Sequence, residues 1–146
     1  MCLSLEMQRP NDVLEAGTFH GHEYRVISNG KGYLCGYVKV EAGHPWRGAG
    51  YDDIDIEVHG GLTFAEHDVP CEAEGPDTGY WVGFDCCHAG DAPAAKYVTN
   101  PKYGHDAIHY VRVMHFEGDT AKDVPYVRAE CESLALQASE AAKSGA

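Results

Sequence analysis

Tyr80-Trp81-Val82-Gly83-Phe84-Asp85-Cys86-Cys87-His88-Ala89-Gly90-Asp91 begins apolar and aromatic and ends in Asp, two Cys, His, Gly and Asp. The first half has the composition of a buried strand, and the second half holds groups able to ligate, transfer protons or attack. The pattern predicts a central strand that presents chemistry at its end. A second stretch, Asp53-Ile54-Asp55-Ile56-Glu57-Val58-His59-Gly60-Gly61-Leu62-Thr63-Phe64, has the same layout. Ile54, Ile56 and Val58 alternate with Asp53, Asp55 and Glu57, which predicts a half-buried strand whose acidic face meets solvent and whose end delivers His59 to a Gly-Gly break. Two strand ends that carry polar groups into glycine-lined turns are what a small site on a sheet looks like.

Outward from these two stretches, His22 to Ser28 and Tyr33 to Val40 are β-rich runs around Asn29-Gly30-Lys31-Gly32, a hairpin signal because Asn and Gly accept positive φ. Residues 1–18 show no clear period and read as a loosely ordered lead-in, with a short helical piece near Asp12 to Ala16, so the domain proper is set at 19–146. Glu41 to Asp52 is a Gly- and Pro-rich loop that carries His44, Trp46, Arg47 and Tyr51. It is either a binding loop or one pinned to the core by Trp46 and Tyr51. Leu62 to Ala65 reads as extended, residues 66–79 as an acidic exposed loop, and Ala92 to His105 as irregular. Ile108 to Phe116 is β-branched and aromatic, which favours a strand over a helix. Val124, Val127, Cys131, Leu134, Ala138 and Ala141 recur at steps of three and four, a helix with Asp123 as N-cap and Pro125 in its first turn. The expected fold is α+β, a single domain with a mainly antiparallel sheet of about four or five strands and a long C-terminal helix across one face.

A chain of 146 residues with 44% hydrophobic and 23% charged residues fits one globular domain with its own core. Eleven Lys plus Arg against 23 Asp plus Glu leave a formal net charge of −12. Such a surface repels phosphate backbones and anionic membranes, so direct nucleic-acid binding and membrane association are not expected. A basic protein partner is compatible with it. Six cysteines follow a start without a basic, apolar export signal, which points to reduced thiols in a cytoplasm. No run of about 18 apolar residues predicts a membrane span.

Nine histidines invite a metal reading, but no paired Cys or His unit of the structural zinc type is present. A three-ligand centre drawn from His44, His59, Asp85, His88 and Asp91 is compatible with the sequence, with His59, His88, Asp91 and Cys86 the candidate ligands of a divalent cation. Without metal, His59 with Asp85, or His88 with Asp91, would move protons near neutral pH. The same pairs would equally serve to brace two turns. The His59-Gly60-Gly61 turn would let backbone amides approach a phosphate or carboxylate. Trp46, Tyr51, Gly60, Gly61, Thr63 and Trp81 complete the candidate ligand-binding set. Cys86 as a nucleophile is the minor reading, since a cysteine is more often an inert buried residue.

Tyr33-Leu34-Cys35-Gly36-Tyr37-Val38, Gly43-His44-Pro45, Tyr51-Asp52, Val58-His59-Gly60-Gly61-Leu62-Thr63-Phe64, Trp81 to Cys86 with His88-Ala89-Gly90-Asp91, and the segment around Tyr126-Val127 and Glu130-Cys131 together resemble a widespread family of small phage and prophage proteins. The reaction of that family is not established. The resemblance spans roughly residues 22–138 and departs from the family at Tyr80, where a second Trp is common, and over residues 97–118. It implies a phage or prophage origin and the host cytoplasm as the setting. Two functions follow as expectations. One is a site at His44, His59, Asp85, His88 and Asp91 that binds or acts on a small anionic, nucleotide-like ligand, with hydrolysis one chemistry open to it. The other is an acidic inhibitor that binds a basic host protein, such as a defence nuclease.

Overall fold

Strands β1 (Val13–Phe19), β2 (His22–Ser28), β3 (Leu34–Val40), β4 (Phe64–His67) and β5 (Tyr80–Asp85) form one antiparallel sheet in the order β1-β2-β3-β5-β4. Two short parallel strands, β6 (Asp91–Ala92) and β7 (Thr120–Ala121), precede the helix α1 (Val124–Ser144), which packs across β1, β2 and β3. The computed structural model describes residues 13–67, 79–100, 102, 107, 109, 112 and 117–144. The α+β architecture, with one long C-terminal helix on an antiparallel sheet, is the one the sequence predicts.

The hairpin between β2 and β3 turns where its residues allow it. Gly30 and Gly32 stand at φ 90° and 97°, and the Asn29 side chain accepts the Lys31 amide at 2.8 Å. Alternation then sorts the two faces of the sheet. Tyr24, Val26, Val38, Val40, Val82 and Phe84 face α1 and meet its buried stripe of Val127, Cys131, Leu134 and Ala138. Full burial of each of Leu34, Phe84 and Leu134 contributes about 1.5–3 kcal/mol. Gly36, in the middle of β3, is where helix and sheet come closest: a Cβ there would lie 2.8 Å from Cys131 Sγ and would overlap the Phe84 ring. The opposite face buries Ile27, Tyr37 and Trp81, with Arg25 and Lys39 each about one ring-width from the Trp81 indole, at 5.4 and 5.5 Å.

Three expectations are corrected. From Val13 onward the N-terminal segment is neither a loose lead-in nor a helix but the edge strand β1. Its period of two is hard to see because two of its inward positions are Glu15 and Gly17. Glu15 is paired with Arg128 of α1 through two 2.6 Å bonds and accepts the Tyr24 hydroxyl at 2.8 Å, and Gly17 lies under the Tyr24 ring. Residues 1–12 lie outside the described residues.

The stretch 54–58 is extended but joins no sheet among the described residues. Ile54, Ile56 and Val58 do pack on the core, and Asp53, Asp55 and Glu57 are exposed. Its partner, however, is the helix: the Gln137 amide accepts the Glu57 N–H at 2.9 Å and donates to the Glu57 carbonyl at 2.8 Å. Alternation reports an extended chain with one buried side and does not specify a neighbouring strand.

In the stretch expected as a strand over Ile108 to Phe116, the described residues His109 and Arg112 are helical. At nine residues a β-branched run does not decide between the two states. Residues 68–78, within the expected acidic loop, and His105 lie outside the described residues.

Candidate functional site

Beyond β5 the chain stays on the sheet for one more bond, Cys86 N–H to the Leu34 carbonyl at 2.9 Å, and then turns back through Gly90 at φ 95°. The β6–β7 pairing ties this turn to the segment that leads into α1, with the Thr120 N–H donating to the Gly90 carbonyl at 3.0 Å. Asp91 is thereby buried at 5% exposure, close to the first turn of α1. The other turn arrives from the extended 54–58 stretch. Gly60 and Gly61 take φ 69° and 79°, closed by Gly61 N–H to the Val58 carbonyl at 2.9 Å. Glycine is required at position 60 on two grounds, the positive φ and the imidazole of His88, whose Nδ1 would lie 2.6 Å from a Cβ.

These two turns bring His59, His88 and Asp91 together, with ligating atoms all within 4.8 Å of one another. His59 Nε2 lies 3.0 and 2.9 Å from the two Asp91 carboxylate oxygens, and His59 Nδ1 lies 2.8 Å from the Tyr126 hydroxyl. An ionised carboxylate only accepts, so Nε2 of His59 donates, and in the neutral ring Nδ1 accepts the Tyr126 hydrogen. Asp91 also accepts the His88 backbone N–H at 3.0 Å and pairs with Lys122 Nζ at 3.2 Å. His88 faces Asp85 with Nε2 at 3.3 Å and Asp91 with Nδ1 at 3.5 Å; the latter nitrogen is buried and has no hydrogen-bond partner among the described residues. Asp85 is itself held by the Thr63 hydroxyl and the Cys87 N–H, both at 3.2 Å.

Burial pushes the Asp91 carboxyl up, but hydrogen bonds from His59, the His88 N–H and Lys122 outweigh it and hold the group below the ordinary carboxylate range. Tyr126 is raised, first by burial and then by Glu130, so its hydroxyl keeps its hydrogen and acts as a donor rather than a phenolate. Burial and the neighbouring Asp91 push the Cys86 thiol far up, and burial and Asp85 raise Cys87. Cys86 is 2% exposed and stands outside the His-His-Asp group. Burial and a raised pKa both disfavour the thiolate that a nucleophilic cysteine needs.

His44 is placed elsewhere. Its Nε2 donates to the Ala138 carbonyl at 2.7 Å while Nδ1 accepts the Trp46 N–H at 3.0 Å, which commits both nitrogens to the backbone. Ala138 is twelve residues beyond Tyr126, about 18 Å along the helix. Trp46 is buried in the core and pins the 41–50 loop to it. Tyr51 is 46% exposed on the short helical turn Tyr51–Asp53, and Trp81 is buried on the sheet face away from α1. Neither touches the His-His-Asp group. Gly60, Gly61 and Thr63 lie around it as described.

Tyr126 and Lys122 belong to the centre and were not singled out as site residues from the sequence. Tyr126 sits on the exposed side of the helical stripe, and Lys122 lies in the connector before it. Both are separated from His59 by more than sixty positions, so only the tertiary fold reveals them.

Two open concavities flank the centre. One, of about 530 Å³, is lined by Tyr37, Thr63, Phe64, Asp85, Cys87 and His88 among others, with the Tyr37 and Phe64 rings edge to face at 5.2 Å. The other, of about 560 Å³, runs between the 57–59 stretch and α1 past Tyr126 and Glu130. Compared with known protein families, characterised proteins and solved structures, the chain matches none.

Proposed function

We propose that the His59–His88–Asp91 centre is a ligand site for a small anionic, nucleotide-like molecule, with which it exchanges protons. The observation that carries this reading is the hydrogen-bonded chain Tyr126–His59–Asp91, built on a buried carboxylate, with His88 beside it at the rim. A buried carboxylate that fixes one imidazole nitrogen leaves the ring as an oriented acid or base, and a contribution of about 10²–10⁴-fold to a reaction is typical of such a group. His59 and His88 side chains retain 17% and 35% exposure, so a ligand can reach them. The concavity next to His88 offers aromatic walls at Tyr37 and Phe64 beside the polar Thr63 and Asp85, a surface that suits a molecule with a ring at one end and charge at the other. The origin in a phage or prophage and action in the host cytoplasm belong to the same proposal.

Titration of the isotope-labelled protein with ADP tests it. Saturable shifts centred on His59, His88 and Thr63 are expected, and the double variant His59→Ala/His88→Ala should lose them while keeping the dispersion of a folded protein. Unchanged binding in that folded variant would end the reading.

A second reading is favoured by a specific surface. Asp52, Asp53, Asp55 and Glu57 are all exposed along one stretch, on a chain of net charge −12. As an acidic inhibitor the protein would present this edge to a basic protein. The triple reversal Asp53→Lys/Asp55→Lys/Glu57→Lys is then expected to abolish a salt-sensitive complex with a host nucleic-acid-handling protein, while His59→Ala leaves it intact. A complex indifferent to both the reversal and salt would refute this edge as the interface.

A further inference from the structure

The geometry points to a binding site for a first-row divalent metal ion, with zinc as the reference ion, formed by His59 Nε2, His88 Nδ1 and the Asp91 carboxylate. This inference rests on the reading of the same centre as a ligand site and names what completes it.

The orientation of the two imidazoles supports it. Each ring meets an oxygen from outside at its outer nitrogen: the Tyr126 hydroxyl is bonded to His59 Nδ1 at 2.8 Å, and Asp85 faces His88 Nε2 at 3.3 Å. Each inner nitrogen then faces the same oxygen, Asp91 Oδ2, at 2.9 Å from His59 and 3.5 Å from His88. Metal-bound histidines are oriented in this way, with the second nitrogen engaged by a carboxylate or another oxygen that is itself anchored. Asp85 meets that condition through Thr63 and the Cys87 N–H.

His88 Nδ1 gives an independent reason. When the ring carries its hydrogen on Nε2, toward Asp85 at 3.3 Å, the lone pair of Nδ1 turns toward the carboxylate of Asp91, and this buried nitrogen has no hydrogen-bond partner among the described residues. Two electron-rich atoms facing each other in a buried place repel unless positive charge lies between them, a proton on Nδ1 or a metal ion, and a metal ion at that point ligates both. Bonds of about 2.0–2.1 Å in a tetrahedral arrangement put ligand atoms about 3.3–3.4 Å apart; the 3.5 Å between His88 Nδ1 and Asp91 Oδ2 is close to this, and the 2.9 Å between His59 Nε2 and Oδ2, a hydrogen bond without metal, would open on binding. The wider limit of 4.8 Å for the group as a whole is closed by a small rotation of His88, whose side chain is 35% exposed.

The hydrogens balance. In the absence of metal, His59 carries its hydrogen on Nε2. On binding, that hydrogen is replaced by the metal and one is carried on Nδ1, where the Tyr126 oxygen accepts it, so the ring stays neutral. His88 keeps its hydrogen on Nε2 throughout. Lys122 sits 3.2 Å from the other oxygen, Oδ1, while Oδ2 accepts the His88 backbone N–H at 3.0 Å through one lone pair and offers the other to the ion as a single-oxygen ligand. Two imidazoles and one carboxylate suit zinc, iron(II), cobalt and nickel better than calcium or magnesium. Three protein ligands leave a position open, as in catalytic rather than structural sites. An ion there would also add positive charge for an anionic ligand at a centre where Lys122 is already paired with Asp91.

Untagged protein freed of metal by chelator and dialysis should bind zinc chloride with a stoichiometry of one by calorimetry, with imidazole ¹⁵N signals of His59 and His88 moving together. His88→Gln should abolish this binding. Asp85→Asn, which leaves all three ligands in place, should weaken it by about 10–100-fold, and His109→Gln, far from the centre in sequence and on an exposed helical residue, should leave it unchanged. Zinc binding that survives both His88→Gln and Asp85→Asn, or no stoichiometric binding at all, overturns the inference. ADP binding by the metal-free protein together with no zinc binding would overturn only the metal site, whereas loss of both would remove the ligand reading as well.

Discussion

Replacing Asp91 by alanine is expected to destabilise the fold by about 3–5 kcal/mol, the usual cost of removing one partner from a buried ion pair. The carboxylate is 2% exposed as a side chain and is the common acceptor for His59, the His88 N–H and Lys122. Without it Lys122, whose side chain is 15% exposed, keeps its charge and loses its counter-ion. Asp91→Asn keeps an acceptor and is expected to cost less. It also removes a pH dependence. The folded-state pKa of Asp91 lies below the ordinary value, so its contribution is present above the unfolded value of about 3.9 and is lost as pH falls through the depressed folded one. Wild-type protein should therefore lose part of its urea resistance below about pH 4, and the difference between wild type and Asp91→Asn should shrink there. An alanine variant within about 1 kcal/mol of wild type at neutral pH would contradict the buried-pair description.

Gly36→Val is expected to cost about 3 kcal/mol, at the upper end of overpacking penalties. Position 36 has ordinary φ, so the effect comes from space and not backbone strain. A Cβ would strike the Phe84 ring and Cys131 Sγ, both of which are 2% exposed or less and have no room to retreat. The thiol of Cys131, pushed by burial up to about 12, is part of the apolar stripe rather than a reactive group. Equilibrium denaturation gives the value directly. A loss below about 0.5 kcal/mol, the range of neutral surface changes, would mean that helix and sheet do not meet at Gly36.

The elements that were legible from the sequence are those whose signal is local. Asn29 to Gly32 announces its hairpin through positive-φ residues, and the stripe from Val127 to Ala138 announces α1 by its period, with the Asp123 side chain accepting the Tyr126 N–H at 3.1 Å as the expected cap. Elements whose inward positions are filled by long-range polar partners were not legible. In β1, Glu15 points inward because Arg128, more than a hundred positions away, is there to meet it. The 54–58 stretch shows alternation but gains its hydrogen bonds from a glutamine side chain on α1, which no periodicity encodes. The site divides along the same line. The glycine turns that hold His59 and His88, and the Asp that closes the second, stand out in the sequence, whereas Tyr126 and Lys122 join them only through the β6–β7 pairing. His44 misleads because a histidine in a Gly-Pro loop has the same local context whether it meets a ligand or, as here, a helix carbonyl.

The central claim is that two oriented imidazoles share one buried carboxylate and meet a ligand from the open side. Long-range ¹H–¹⁵N spectra of the histidine rings, recorded on folded metal-free protein and then with ADP or zinc added, test it most directly. The account predicts a single tautomer with hydrogen on Nε2 for both His59 and His88 before addition, and displacement of both rings on addition. Tautomers averaged as in free imidazole, with neither ring responding to either addition, would contradict it.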